Sequence, residues 1–186
     1  VTQHRPVRLG EALDVDVRAE RLAAHHRGVS IDLVAEVTVA GDAVWRGVST
    51  YLAKGYALAG EHAERGDRPA WHAPTPTGVW RLPADLGRRY AAVSGDHNPI
   101  HTQVLAAKAF GFPAAIAHGM WLKARCLAAL ETELPEAFTV EVAFQQPVVL
   151  PAKVGFAAAH VDGRRTFTLH DVRRGTPHLR GSITPG

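Results

Sequence analysis

Tyr90-Ala91-Ala92-Val93-Ser94-Gly95-Asp96-His97-Asn98-Pro99-Ile100-His101 is the stretch whose reading decides the fold. Pro99 has no amide hydrogen and biases Asn98 away from helical geometry, so the segment around it is loop. Gly95 allows a tight approach of the backbone. Asp96 and His101 stand on either side of this bend, so a carboxylate and an imidazole can converge and share one water molecule. The same residues allow a plainer reading. Asp-x-Asn-Pro also builds ordinary turns in which Asp or Asn caps a helix, and His101 before an Ala-rich stretch can be a surface residue of a first turn.

Ile116-Ala117-His118-Gly119-Met120 is the second informative segment. A glycine entering a buried helix exposes free N–H groups at the positive end of the helix dipole. Such a donor can hold a thioester oxygen as it gains enolate charge. Alternatively, Gly119 only permits close helix–sheet packing. His118 raises the question of a metal. Histidines at 97, 101 and 118 lack a zinc-type helical motif of carboxylate and histidine, and no cysteine lies nearby, so no metal site is expected.

Outward from these segments the pattern is strand, then helix, then strand. Apolar residues alternate at Leu13, Val15 and Val17 and at Ile31, Leu33, Ala35, Val37 and Val39, which predicts strands across residues 7–52, with a hairpin turn at Gly41-Asp42. Residues 53–82 shift to Gly, Ala, Pro and charge and read as a surface connection. Helices are expected at 84–93, 102–112 and 119–130, the last with Met120, Ala124, Leu127 and Leu130 on its apolar face. Strands return over 138–184, with turns at Pro151, Asp162-Gly163 and Gly175. A weak repeat aligns Pro6-Val7-Arg8-Leu9 with Pro147-Val148-Val149-Leu150, and Gly41, Trp45-Arg46-Gly47 and Thr50 with Gly175, Leu179-Arg180-Gly181 and Thr184. The first copy lacks the helix that precedes the second. A duplicated fold with an incomplete N-terminal half is therefore expected, from a truncated chain or a start placed too late.

The 186 residues, 46% of them apolar, suffice for a folded core. The formal charge of +3 is mildly basic and suits an anionic substrate, but the Lys and Arg residues are scattered, so no nucleic-acid face is expected. The single cysteine, Cys126, excludes an internal disulfide and lies in an apolar helical stretch, where it reads as packing and not as a nucleophile. His25, His26, His62 and His72 read as surface residues, and the four tryptophans as packing. There is no phosphate-binding glycine loop and no Gly-x-Ser-x-Gly elbow. With no signal core and no apolar run of membrane length, the expected compartment is the cytoplasm.

Tyr90 through His101, Gly111-Phe112 and Ile116 through Met120 resemble the MaoC-like dehydratase family, which includes the (R)-specific enoyl-CoA hydratases, or hydratase 2. The resemblance implies an α+β hot dog fold, an antiparallel sheet wrapped round a central helix, preceded by strands of a partial second hot dog. It divides the chain into partial hot-dog strands at 1–52, a linker at 53–75 and a catalytic domain at 76–186. It implies that Asp96 and His101 are the catalytic pair, that Asn98 and Ser94 orient the loop, and that the Gly119 N–H is an oxyanion donor. One departure is Thr102-Gln103, where members often carry an acidic residue after the motif histidine. The implied reaction is reversible (R)-specific hydration of a trans-2-enoyl-CoA, or dehydration of a (3R)-3-hydroxyacyl thioester, in fatty-acid metabolism. It needs no metal or other cofactor. The implied partners are an acyl-CoA or acyl-carrier-protein thioester and a second copy of the chain, in a homodimer or higher oligomer. Two alternatives stay open: a non-catalytic acyl-thioester-binding subunit, and a hydratase of a branched or dicarboxylic unsaturated acyl-CoA.

Overall fold

The computed structural model describes residues 1–58 and 70–186. His62, Pro69 and residues 59–69 of the expected linker lie outside the described residues. The chain divides into two compact units, one of Val1–Ala70, Pro135–Val140 and Pro185–Gly186, the other of Trp71–Leu134 and Glu141–Thr184.

The first unit is built from hairpins. Strands β1 (Thr2–Gln3), β2 (Asp14–His25), β3 (Gly28–Val39) and β4 (Asp42–Lys54) pair antiparallel, β3 lying between β2 and β4. β1 pairs with β4 at Thr2 and Arg46 and with the start of β6 (Phe138–Phe144) at Thr2 and Thr139. The turn between β3 and β4 is Ala40-Gly41, both with positive φ, one residue before the expected position. A two-residue loop of that geometry matches the twist of the strands it joins. Val29, Val34 and Val44 are buried, and so is Asp32, which accepts from Thr50 Oγ1 at 2.6 Å and from Arg21 Nε at 2.7 Å. The alternating row Leu13, Val15 and Val17 is exposed. Period-2 alternation identifies side chains that share a face, and it says nothing of what covers that face.

The second unit places its helices between two runs of strand. β5 (Gly78–Leu82) leads to α1 (Leu86–Ser94), α2 (Pro99–Thr102), α3 (Val104–Ala109) and α4 (Gly119–Ala128), followed by the rest of β6, β7 (Ala152–Val161), β8 (Arg164–Asp171) and β9 (Pro177–Pro185). β8 lies between β7 and β9, and β5 pairs with β7, all antiparallel. Phe156, Phe167, Leu169 and Leu179 of the strands are buried, as are Leu122, Cys126 and Leu130 on and just after α4. Truncating such a side chain to Ala costs about 2–5 kcal/mol.

Two sequence expectations for the helices are corrected. The stretch 102–112 is not one helix, because Gln103 is extended at φ −133 and ψ 122 and separates α2 from α3. On α4 the buried residues are Leu122 and Cys126, while Met120 is 55% exposed and Ala124 is exposed, so the inward face is turned from the one expected, and of the four expected residues Leu130, just after the helix, is buried. Met, Ala and Leu are spread round this helix, and composition cannot choose among its faces.

Candidate active site

The loop between α1 and α2 is organised by its own short polar side chains. Gly95 ends α1 with φ 74 and returns its N–H to the Ala91 carbonyl at 2.9 Å. Ser94 Oγ donates to the Tyr90 carbonyl at 2.9 Å and accepts the Asp96 N–H at 3.2 Å. Asp96 Oδ1 accepts the Asn98 N–H at 3.1 Å, and Asn98 Oδ1 accepts the Ile100 N–H at 3.3 Å. Asn98 thus caps α2, with Pro99 at its first position, where a missing N–H costs nothing. Ser94, Asp96 and Asn98 form a relay of turns that leaves Asp96 Oδ2 free of the backbone.

A second segment reaches this loop from far along the chain. Ile116 bridges to Val149, with Ala117 N–H on the Val148 carbonyl at 2.9 Å and Leu150 N–H on the Ala115 carbonyl at 2.8 Å. The same residue clamps α2: its N–H donates to the Ile100 carbonyl at 3.1 Å, and its carbonyl accepts from His101 Nδ1 at 2.9 Å. His118, 3% exposed, donates Nε2–H to the backbone carbonyl of Asp96 at 3.0 Å, and the same nitrogen lies 3.8 Å from Asp96 Oδ2. The rings of His101 and His118 stack with centroids 3.8 Å apart, and Tyr90 packs edge-on against His118 at 5.0 Å.

These bonds assign the tautomers, since a carbonyl oxygen only accepts. His101 carries hydrogen on Nδ1 and, when neutral, a lone pair on Nε2. Burial holds its pKa below the ordinary 6.5. The Ile116 carbonyl opposes that shift, His118 adds to it, and the Asp96 charge opposes it. The ring is therefore a proton acceptor near neutral pH. His118 has its hydrogen on Nε2, and its Nδ1 is buried with no partner among the described residues.

Gly119 opens α4 directly after His118. Leu122 is the first residue of this helix whose N–H closes onto the preceding turn, at the His118 carbonyl, so the Gly119 N–H belongs to the unpaired first turn. A side chain at 119 would press on the Phe144 ring, its Cβ only 3.0 Å from Cε1. Both sequence readings of Gly119, donor and close packing, therefore apply to one residue.

The structure brings Asp96, His101 and His118 together, with one ligand-type atom from each within 4.8 Å of the others. Such a trio is numerous enough to hold a divalent ion. Yet His118 turns toward Asp96 the nitrogen that carries its hydrogen. Asp96 and His101 offer a carboxylate oxygen and an imidazole lone pair, a donor set suited to binding water and moving its proton. His97 is exposed and stands apart from the trio. Cys126 is fully buried, and burial pushes its thiol up to about 12, so it has no nucleophilic role.

Three contributors carried no catalytic or positioning role in the sequence, where His118 was weighed only as a metal ligand. Tyr90 and His118 stand inside the motif segments, and only tertiary contact reveals what they touch. Gly87 lies inside α1, and a Cβ there would fall on the His101 carbonyl oxygen. A glycine inside the expected helix 84–93 was the available signal for such a close approach.

Comparison with known proteins places this geometry. Residues 67–181 match the family described as MaoC like domain. The 3-hydroxyacyl-thioester dehydratase X of Mycobacterium tuberculosis is 44% identical over 184 residues, which cover 98% of this chain and 65% of the relative. A crystal structure of HtdX from the same organism matches all of the chain and 72% of its own, at TM-score 0.84 and 42% identity. A MaoC-like dehydratase from Phytophthora capsici matches the whole chain and 69% of its own at TM-score 0.81, with 17% identity, and so bears on the fold alone. The fold is the α+β hot dog expected from the sequence. The chain spans just under two thirds of the length of the curated relative it matches.

Proposed function

The chain belongs to the MaoC-like dehydratase family, and from that premise we propose that its site catalyses reversible (R)-specific hydration of trans-2-enoyl thioesters, the reverse being dehydration of (3R)-3-hydroxyacyl thioesters. One observation carries the reading: Asp96 presents a carboxylate and His101 an unprotonated Nε2 from one rigid loop, beside the unpaired N–H of a helix start.

In the forward direction Asp96 and His101 hold a water. Its oxygen adds at C3 while the pair takes one of its protons. Charge moves to the thioester oxygen, where the Gly119 N–H at the positive end of α4 receives it. The pair then delivers a proton to C2. The balance closes without a cofactor, since one water supplies the hydroxyl for C3 and, by way of the pair, the hydrogen for C2. The proton belongs to Asp96 and His101 jointly. Ser94 and Asn98 orient the loop, and His118 positions it by fixing the Asp96 backbone. The relative named as a 3-hydroxyacyl-thioester dehydratase supports the reaction class.

The same proposal includes the division into 1–52, 53–75 and 76–186, and a cytoplasmic homodimer or higher homo-oligomer. No helix among the described residues is long and apolar enough to cross a membrane. The exposed row Leu13, Val15 and Val17 supports self-association, because such a face gains by being covered. Incubation with crotonyl-CoA tests the reaction. Loss of the enoyl-thioester absorbance with a (3R) product is expected, and no loss, or a mainly (3S) product, overturns the reading.

A further inference from the structure

We propose that a groove beside the catalytic loop, walled by Arg81, Arg89 and Arg125, binds the phosphate groups of coenzyme A and so selects a coenzyme A thioester over a carrier-protein thioester. The inference rests on the hydratase reading above.

The groove lies among β5, α1 and α4 and has a volume of about 800 Å³, in the ordinary range for a small-molecule site. Among the described residues no Asp or Glu lines it. Some arginines elsewhere take acidic partners, as Arg18 does with Asp16, Glu20 and Glu36 and Arg165 with Glu133. Among the described residues Arg81, Arg89 and Arg125 have none. Three guanidinium groups round one concavity raise its affinity for anions, and their planar forks match phosphate oxygens. A neighbouring cavity continues past Arg81 and Arg89 and adds Lys153 and Arg173. Its one carboxylate, Asp171, already accepts the N–H groups of Arg173 and Arg174 at 2.8 and 2.7 Å.

The other walls suit the rest of such a ligand. Trp80 is stacked on Phe156 at 5.0 Å, and Arg125 lies over its ring at 4.5 Å, so the indole is held in place. Trp121 adds a second flat apolar surface. Phe156 and Arg125 cover the two faces of Trp80, so Trp121 is the ring on which a purine with attached phosphates would stack. A carrier protein offers an acidic protein face, which calls for cations spread over a broad surface, whereas Arg81, Arg89 and Arg125 converge on one groove that two tryptophans also line. The groove also reaches the chemistry. Tyr90 lines it and sets its ring against His118, so its inner end lies one ring away from the stacked imidazoles.

The test compares two thioesters of one acyl group. Arg81 and Arg89 are exposed, so the double variant Arg81→Gln/Arg89→Gln should fold, and thermal melting verifies it. Should it not, Arg89→Gln alone is used. The KM for crotonyl-CoA should rise about tenfold with kcat nearly unchanged, the scale expected for losing charge-assisted hydrogen bonds. The crotonyl thioester of N-acetylcysteamine lacks the phosphates, and its kcat/KM should not change. Equal effects on both thioesters, or none on either, overturn the groove. A larger KM effect with a crotonyl carrier protein than with crotonyl-CoA overturns the choice of ligand. If the parent protein hydrates neither thioester, the hydratase reading fails by itself, and calorimetric titration with free coenzyme A decides the groove. Binding about tenfold tighter to the parent than to the variant supports it, and equal or absent binding overturns it.

Discussion

The imidazoles of His101 and His118 lie stacked 3.8 Å apart and donate to two different carbonyls, His101 to Ile116 and His118 to Asp96. Each ring therefore anchors the segment that carries the other's neighbour. Ile116 stands two residues before His118, and Asp96 five before His101. The arrangement is a reciprocal lock between the motif loop and the approach to α4.

Loss of either proton-handling group should remove most of the activity. Asp96→Asn and His101→Gln should each lower kcat by roughly a hundredfold or more, with the fold kept because Asp96 is exposed and the Gln side-chain amide at 101 can still donate to the Ile116 carbonyl. Hydration kinetics with crotonyl-CoA check this, and parent-like rates in both variants would refute the assignment.

His118 acts through its neighbours. His118→Leu removes the donor to the Asp96 carbonyl and should lower kcat roughly ten- to a hundredfold, the scale of a misplaced catalytic group. His118→Gln should recover part of it, since its side-chain amide is also a donor. His118 is one of the groups that lower the His101 pKa. In the Gln variant the acid limb of the kcat/KM profile should therefore move to higher pH. A reduced rate with an unmoved limb would indicate only a packing defect.

Gly87→Ala should disturb the site from the side of α1. Its Cβ meets a backbone oxygen, which cannot rotate away as a side chain can. Overpacking of this kind costs about 1–3 kcal/mol, so both Tm and kcat should fall. Arg88→Ala, on the exposed side of the same turn, should alter neither. Equal melting and equal rates for Gly87→Ala would show that α1 and α2 can separate freely.

Mild acid should destabilise the protein through its buried histidines. His101, His170 and His178 all have pKa values held below 6.5, in each case chiefly by burial. Below pH 6.5 the unfolded chain takes up protons that these folded histidines do not, so stability falls with pH until the folded values are passed. A lower Tm at pH 5.5 than at pH 7.5 is expected. His170→Phe should lessen the difference, and an identical Tm at both pH values would contradict the burial.

The amino-acid sequence by itself determined what depends on near neighbours. The relay of Ser94, Asp96 and Asn98, the stop at Gly95 and the cap before Pro99 are made by residues two to four positions apart, so their chemistry is legible in the order of letters. Most strands and the hairpin turns were legible for the same reason, but not β5, which lies in the stretch read as a surface connection and is a strand through its pairing with β7, nor the start of β2, which begins at Asp14 and not at residue 7. Tertiary structure alone decided the rest. The bond from His118 to Asp96 spans 22 positions, and that from His101 to Ile116 spans 15. Gly87 is a spacer only because α2 folds back across α1. Periodicity rightly turned Leu130 inward but misjudged the face of α4 itself, where Leu122 and Cys126 are buried and Met120 is not. A helix with Met, Trp, Leu, Ala and Cys spread round it offers several apolar stripes of similar worth, and its rotation is set by the strands and loops packed round it.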